Sequence, residues 1–271
     1  MADINPENIF NQVISSSKYK FVYPPLIERI ILGSLKKFKK EKDVIKAVKS
    51  KLHQIYGAYT ESFSISKFES LIAKILEETN LEQRKTLINE LFLQHSSSKE
   101  RVNLYPDFYS KIFDLMGFTP GSVLDLACGL NGFSVDFLPN DCKTKFTGVE
   151  IDSFLVEKTN RYFEKHHSRS KLLQGDIFEN VKQNGEISEF DAVFLLKTLP
   201  CIEQQEKGIS QKLIDNLNCR VIVVSYPAKS LTGKEKGMVS NYTGFQKSLH
   251  FSGETVSFLM DNELFFIMKR E

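Results

Sequence analysis

Ser122-Val123-Leu124-Asp125-Leu126-Ala127-Cys128-Gly129-Leu130-Asn131-Gly132 is the stretch from which the rest of the chain is read. A short apolar run ends in an acidic residue, then small residues, then glycine. A buried parallel strand has this pattern where it stops in a tight turn against a ligand. Gly129 and Gly132 are expected to supply the backbone freedom of that turn and to let the main chain approach a bound molecule. Their spacing is not that of the dinucleotide fingerprint, whose three glycines seat a pyrophosphate on a helix N-terminus.

Downstream of this stretch the apolar pattern alternates between short runs and helical segments. Runs at 123–127, 146–151, 171–173, 192–196, 221–225, 256–260 and 264–268 are read as strands, and such alternation indicates a doubly wound α/β sheet. The last two runs flank Asp261-Asn262-Glu263 and read as an antiparallel hairpin. Upstream, apolar residues recur at helical spacing in four stripes, among them Ile27, Ile30, Ile31, Leu35 and Phe38 after Pro24-Pro25. A fifth helix, over about 105–116, leads through Gly117-Phe118-Thr119-Pro120-Gly121 into the first strand. The expected division is an all-helical N-terminal domain, 1–104, and an α/β domain, 105–271.

Charge separates these two parts. Residues 1–105 hold 17 Lys and Arg against 12 Asp and Glu, although the whole chain is only +2. Eight lysines fall between 36 and 51, against Glu41 and Asp43 alone. A basic front half on a near-neutral chain suits a polyanion, because neutralising phosphate dominates nucleic-acid affinity; a solvated lysine face is the other reading. No apolar run reaches membrane-spanning length, and no apolar signal segment follows the polar start. Cys128, Cys142, Cys201 and Cys219 are scattered, without metal-ligand or disulfide spacing. A reduced, cytoplasmic, monomeric protein without a metal is expected, away from membranes.

The strand ends carry the chemistry. Glu150 follows the second strand, where a carboxylate can accept from both hydroxyls of a ribose. Asp176, in Gly175-Asp176-Ile177, follows the third, where an acid can accept from an adenine amino group while Ile177 packs on the ring. Either acid alone could equally be a helix cap or turn residue. All three features at successive strand C-termini, the ligand edge of open α/β sheets, indicate a nucleoside or S-adenosylmethionine site. The 122–132 stretch also resembles the first motif of S-adenosylmethionine methyltransferases, whose sheet usually finishes in an edge hairpin. That resemblance implies a Rossmann-like methyltransferase sheet. After the fourth strand, Leu195-Leu196-Lys197-Thr198-Leu199-Pro200 lacks the Asp/Asn-Pro-Pro-aromatic motif of amino-group methyltransferases. Lys197 stands there instead, either beside a substrate or as a snorkelling lysine at a strand end.

Five stretches together resemble one family. They are Lys51-Leu52-His53-Gln54-Ile55-Tyr56-Gly57-Ala58-Tyr59, His95-Ser96-Ser97-Ser98-Lys99-Glu100-Arg101, residues 124–131, residues 195–200, and residues 225–238 with Asn241-Tyr242. The family is the aminoglycoside-resistance 16S ribosomal RNA methyltransferases that modify guanine N7 in the decoding site (the Arm type). Gly132 stands where that family usually has Pro, Tyr226 replaces its usual Phe, and Ser98 its Thr. The resemblance implies that Arg101 reaches the methionine carboxylate of S-adenosylmethionine, which a planar guanidinium fork suits. It implies that His95, Ser96, Ser97 and Ser98 line the approach and that Tyr59 closes the pocket. Ala127 and Gly129 would contact the cofactor through their backbone, Glu150 the ribose, Asp176 and Ile177 the adenine, and Leu196 and Gln205 the sulfonium end.

The implied partner is the 30S subunit, through its 16S rRNA. Lys36, Lys37, Lys39 and Lys40, with Lys229, Lys234 and Lys236 on a long rim segment that includes Met238, are expected to meet that substrate, with Lys197 near the target base. Guanine N7 carries a lone pair and no proton, so no general base is expected and no catalytic residue is assigned. N7 lies in the deep groove of A-form RNA, so the target base is expected to flip out. The residues leave two other classes open: a methyltransferase of a small molecule or a protein, and an RNA-binding protein without catalysis. They do not by themselves separate the guanine from a neighbouring adenine.

Overall fold

The computed structural model describes residues 4–57, 64–139, 142–182, 190–228 and 237–270. Helices α1 (Pro6–Ile14), α2 (Pro24–Leu35) and α3 (Glu41–Leu52), the last continued by a π turn at His53–Gly57, enclose a core of their own built on Ile9, Leu26, Ile27, Val48 and Tyr56. Helix α2 starts on Pro24-Pro25, where a missing N–H removes no helical bond. It ends at Leu35, so Phe38, read as the last residue of its stripe, lies beyond it and is exposed.

Helices α4 (Ile65–Glu77) and α5 (Leu81–Phe92), the short α6 (Ser96–Lys99), and α7 (Tyr105–Met116) follow. Ser64 and Asn80 cap α4 and α5 through their side-chain oxygens. Helix α7 stops at Gly117, in the left-handed conformation with φ 83°. The apolar faces of α4, α5 and α7 do not pack on α1–α3. They join the core on one face of the sheet, with Phe68, Ile88, Phe92 and Phe108 among Phe133, Phe163 and Phe194.

The strands are β1 (Ser122–Leu126), β2 (Lys145–Glu150), β3 (Lys171–Gln174), β4 (Phe190–Leu196), β5 (Cys219–Pro227), β6 (Glu254–Met260) and β7 (Glu263–Lys269). Between them run α8 (Ser153–His166), α9 (Ile177–Lys182), α10 (Leu199–Glu203), α11 (Ile209–Asn216) and α12 (Met238–Ser248). The sheet order is β3-β2-β1-β4-β5-β7-β6, with β7 antiparallel to both neighbours and the other pairs parallel. Strand period two is visible in the cores. Ala192, Phe194 and Leu196 face the α4–α8 side, whereas Val193 and Leu195 face the α10–α11 side. Both faces are covered, which is why the central strands read as unbroken apolar runs. The hairpin closes on Asp261 and Asn262, and Glu263 belongs to β7.

The chain leaves β1 toward β2 and β3, then returns to the other side of β1 as β4. Crevices for ligands open outside the strand C-termini at such a reversal. The α1–α3 unit is fixed there. Tyr23 N–H donates to Ile151 O (2.8 Å), Ser153 N–H donates to Phe21 O (2.9 Å), and Val22 forms an isolated antiparallel bridge with Asp152. Among the described residues no helix is long and apolar enough to cross a membrane, and no three metal-ligating side chains cluster.

Candidate cofactor and active site

Backbone strain marks the edge of the sheet. Ala127 and Lys197, directly after β1 and β4, both have φ 58°, and Gly129 has φ 53°. Non-glycine residues persist in that region where their surroundings hold them there, and such positions cluster at functional sites. Lys197 is held by two acceptors, its N–H donating to Ser225 O (3.1 Å) and Oγ (3.0 Å). The role given to Gly132 changes. Its φ is not positive, and it is needed for space, since a Cβ there would lie 2.7 Å from Thr159 and 3.1 Å from Leu172. Gly132 lets the turn pack on α8 and β3; Gly129 is the residue with the turn's unusual conformation.

A cleft opens at this edge, its space of about 950 Å³ including the part open to solvent. His95, Ala127, Gly129, Glu150, Asp176, Ile177, Leu196, Lys197 and Gln205 line it. Most of the residues expected to bind the cofactor therefore meet in one place, with Lys197 beside them. Ser98 is buried in α6 and Arg101 just after it, and neither lines the cleft. Met238 starts α12, half-buried. Lys36, Lys37, Lys39 and Lys40 are exposed between α2 and α3. Tyr59, Lys229, Lys234 and Lys236, and the side chains of Ser96 and Ser97, lie outside the described residues.

The carboxylates of the cleft are held by different means. Glu150 accepts from three backbone groups: Gly129 N–H to Oε2 (2.8 Å), and Ile151 and Asp152 N–H to Oε1 (2.8 and 3.1 Å). Burial, reinforced by the charge of Asp152, outweighs these donors and pushes its pKa up to about 7. Asp176 accepts from the Phe178 N–H at the start of α9 (3.2 Å) and from Arg29 Nε of α2 (2.8 Å), so it is both a helix cap and a cleft residue. Arg29 also donates to Gln205 Oε1 (3.2 Å). Asp152 caps α8 and accepts from the Tyr56 hydroxyl (2.7 Å), bringing that ring into the cleft wall. Buried His95 stands over Gly129, and desolvation lowers its pKa to about 4, so its ring is neutral at physiological pH.

Beside the cleft lies a second polar cluster. Arg101 forks onto Glu263 with Nε and a terminal nitrogen (2.9 and 2.8 Å), and Ser225 Oγ donates to the same carboxylate. Lys197 Nζ reaches Glu263 Oε2 at 3.3 Å and also pairs with Glu100. Burial alone would raise Glu263, but the charges of Arg101 and Lys197 outweigh it and hold its pKa below the ordinary value. Asp125, on β1, accepts from Asn131 Nδ2 (2.6 Å) through one oxygen. Its other oxygen is buried without a partner among the described residues, and burial pushes its pKa up to about 7.

Arg29, Tyr56 and Glu263 were not singled out from sequence as site residues. Tyr56 stands in the quoted 51–59 stretch, which was a usable signal. Arg29 and Glu263 gave none, since their partners lie 147 and 162 positions away.

The arrangement agrees with comparisons across known proteins. A family model described as ribosomal RNA methyltransferase (FmrO) matches residues 15–257. A 16S rRNA (guanine(1405)-N(7))-methyltransferase of Proteus mirabilis is 28% identical over 279 residues, covering 97% of each chain. The solved structure of 16S rRNA methyltransferase RmtF with S-adenosyl-L-homocysteine superposes with TM-score 0.81 at 25% identity, covering all of both chains. The 16S rRNA methylase RmtB superposes equally well, TM-score 0.81, at 21% identity over 99% of this chain and all of its own. With the family model spanning nearly the whole chain and its strand-end cleft in place, this protein belongs to the ribosomal RNA methyltransferase (FmrO) family.

Proposed function

We propose that the protein transfers a methyl group from S-adenosylmethionine to N7 of a guanine in the decoding site of 16S rRNA, within the 30S subunit, and thereby confers aminoglycoside resistance. The observation that carries this reading is the meeting of the Gly129 turn, Glu150 and Asp176 in one cleft of a chain of this family. The cofactor supplies an electrophilic methyl group on a sulfonium. Glu150, already fixed by three N–H donors, accepts the ribose hydroxyls. Asp176 accepts the adenine amino group, and Ile177 packs on the ring. His95, neutral over Gly129, walls the approach without placing a second positive charge beside a cationic donor. Arg101 forks onto Glu263 behind the cleft lining and would have to turn from that carboxylate to reach the carboxylate end of the donor.

No residue needs to remove a proton, because guanine N7 carries none. Rate then comes from alignment and from the electrostatics of a water-poor cleft. Residues 1–104 serve as the rRNA-facing unit, with their positive charge concentrated on α3 and the turn before it. The lysines at 229, 234 and 236 meet phosphates around a flipped base. The protein works as a cytoplasmic monomer.

The test is mass mapping of 16S rRNA after purified 30S subunits are incubated with the protein and labelled S-adenosylmethionine. A single N7-methylated guanine in the decoding site is expected. Label on an adenine, on protein, or nowhere overturns the reading. Changing Lys36, Lys37, Lys39 and Lys40 to Glu should abolish 30S binding and leave S-adenosylhomocysteine binding intact.

A further inference from the structure

Helix α2 belongs to the core of α1–α3, yet one of its side chains lines the cofactor cleft and another holds two residues of the cleft wall. Leu26 lines the cleft, and one turn later Arg29 reaches across to the α9 and α10 side of the sheet. Its guanidinium is committed three ways. Nε and Nη2 both lie 2.8 Å from Asp176 Oδ2, Nη2 donates to Gln205 Oε1 at 3.2 Å, and the plane sits 3.8 Å over the centre of the Phe178 ring. Asp176 is nearly buried and Arg29 a quarter exposed. A planar, multiply bonded guanidinium fixes an orientation in a way that a lysine ammonium cannot.

The consequence lies in which lone pairs remain. The Asp176 carboxylate has one oxygen facing the Phe178 N–H and the other facing Arg29. Oδ2 is taken up by the two Arg29 nitrogens, while Oδ1 keeps a further acceptor site whose direction is set by the Phe178 N–H. With Gln205 tied to the same guanidinium, the carboxylate and the carboxamide oxygen are held in one fixed array at the cleft wall. An array that offers only acceptors suits a ligand edge that offers an N–H₂ donor, and it rejects an edge that offers a carbonyl oxygen.

We propose that Arg29 is a positioning residue of the cofactor site, supplied by the N-terminal unit, that orients Asp176 and Gln205 to select a 6-aminopurine. This inference rests on the reading of Asp176 as the adenine acceptor. It makes α1–α3 part of the cofactor site as well as of the rRNA-facing unit. Lys36 lies seven residues beyond Arg29, roughly 10 Å along the direction of α2 at 1.5 Å per residue.

The test is a binding cycle by calorimetry on the full chain. S-adenosylhomocysteine and its 6-oxo analogue, S-inosylhomocysteine, are titrated into the wild type and Arg29→Met. The wild type should prefer the 6-amino ligand by at least tenfold. In Arg29→Met the affinity for S-adenosylhomocysteine should fall about tenfold and the preference should shrink to less than threefold. Equal losses for the two ligands, with the preference unchanged, would mean that Arg29 only pins α2 in place, and would overturn the proposal. Should Arg29→Met fail to fold, Arg29→Lys carries the same cycle: a reduced preference supports the proposal and an unchanged one overturns it. A wild type that binds neither ligand removes the cofactor reading itself. A wild type that binds both equally removes only this inference.

Discussion

Two buried arginine–carboxylate pairs cross this molecule, and they differ in what surrounds them. Arg84 of α5 forks onto Asp136 (2.6 and 3.1 Å), its remaining terminal nitrogen donates to Glu78 O (3.0 Å), and His167 Nε2 meets the same carboxylate at 2.7 Å. Arg101 forks onto Glu263 in the same manner, with both side chains comparably buried. The first network is closed and ties helices to the segment after β1, far from the cleft lining. The second is open. It shares Glu263 with Lys197, which lines the cleft from a strained backbone and also holds the part-exposed Glu100. Burial and the arginine fork are therefore the same in both. The strained neighbour and the open side distinguish a network that serves a site from one that serves the fold.

The comparison breaks most readily where one partner is removed. Arg84→Met and Arg101→Met each take the guanidinium from a buried carboxylate, leaving Asp136 with His167 and Glu263 with Lys197, at a cost of about 3 kcal/mol. In a chain of this size that is a fall of roughly 10 °C in melting temperature. Stability should thus report the two variants as equals. Methyl transfer to 30S subunits, measured well below both melting points, should separate them. Arg84→Met should retain the wild-type rate per folded molecule within about twofold, whereas Arg101→Met should lose about a hundredfold, on the order of 2.7 kcal/mol. An inactive Arg84→Met, or an active Arg101→Met, would erase the distinction.

A smaller effect sharpens it at the cleft. Glu150→Gln replaces an acceptor-only carboxylate with a group that also donates, and should weaken S-adenosylhomocysteine binding about ten- to a hundredfold. The pH dependence has a defined sign. Glu150 titrates at about 7 in the folded protein against an ordinary 4.5, so the folded state holds an extra proton between those values. That group's contribution to stability is fully present below 4.5 and is lost as pH rises toward 7. The proposed ribose contact needs the ionised form, so on that reading affinity moves the other way, rising up to about pH 7 and then levelling. Calorimetry between pH 5.5 and 8.5 should show the rise in the wild type and a flat profile in Glu150→Gln. Asp125, also near 7, is the internal control: if the slope survives in Glu150→Gln, the titrating group is Asp125.

The unequal legibility of these groups has a physical cause. The strand-end residues Gly129, Glu150 and Asp176 could be found because buried parallel strands are contiguous apolar runs, and whatever follows one lies at the ligand edge. Arg29 could not be found, because on its own helix it is merely the polar residue of an amphipathic turn. Its meaning comes from Asp176, 147 positions away. Glu263 was read as part of a hairpin turn, where acids are common. It is the first residue of β7, and antiparallel pairing with Pro227 carries it to Arg101. Gly132 was assigned backbone freedom because turns favour glycine, but only the approach of Thr159 and Leu172 reveals that space is what it supplies. Local pattern encodes elements and their ends. It does not encode which distant charge completes a carboxylate.

The smallest effect tests how closed the Arg84 network is. Burial by itself would raise Asp136, but His167 and Arg84 together outweigh it and hold the pKa below the ordinary 3.8. A carboxylate lowered in this way adds stability above 3.8, and that stability is lost as pH falls through the folded value. His167→Gln keeps a donor near Asp136 and removes the ring, leaving Arg84 to hold the carboxylate. The expected cost at neutral pH is about 1 kcal/mol, the scale of one replaced hydrogen bond. The larger signature is in acid, where the unfolding midpoint should move to higher pH because Asp136 then takes up its proton sooner. Denaturant melts at pH 7 and an acid titration followed by circular dichroism measure both quantities. Methyl transfer and cofactor affinity should not change, because nothing in this network faces the cleft. A His167→Gln protein that unfolds in acid at the wild-type pH would show that Arg84 alone sets the Asp136 charge.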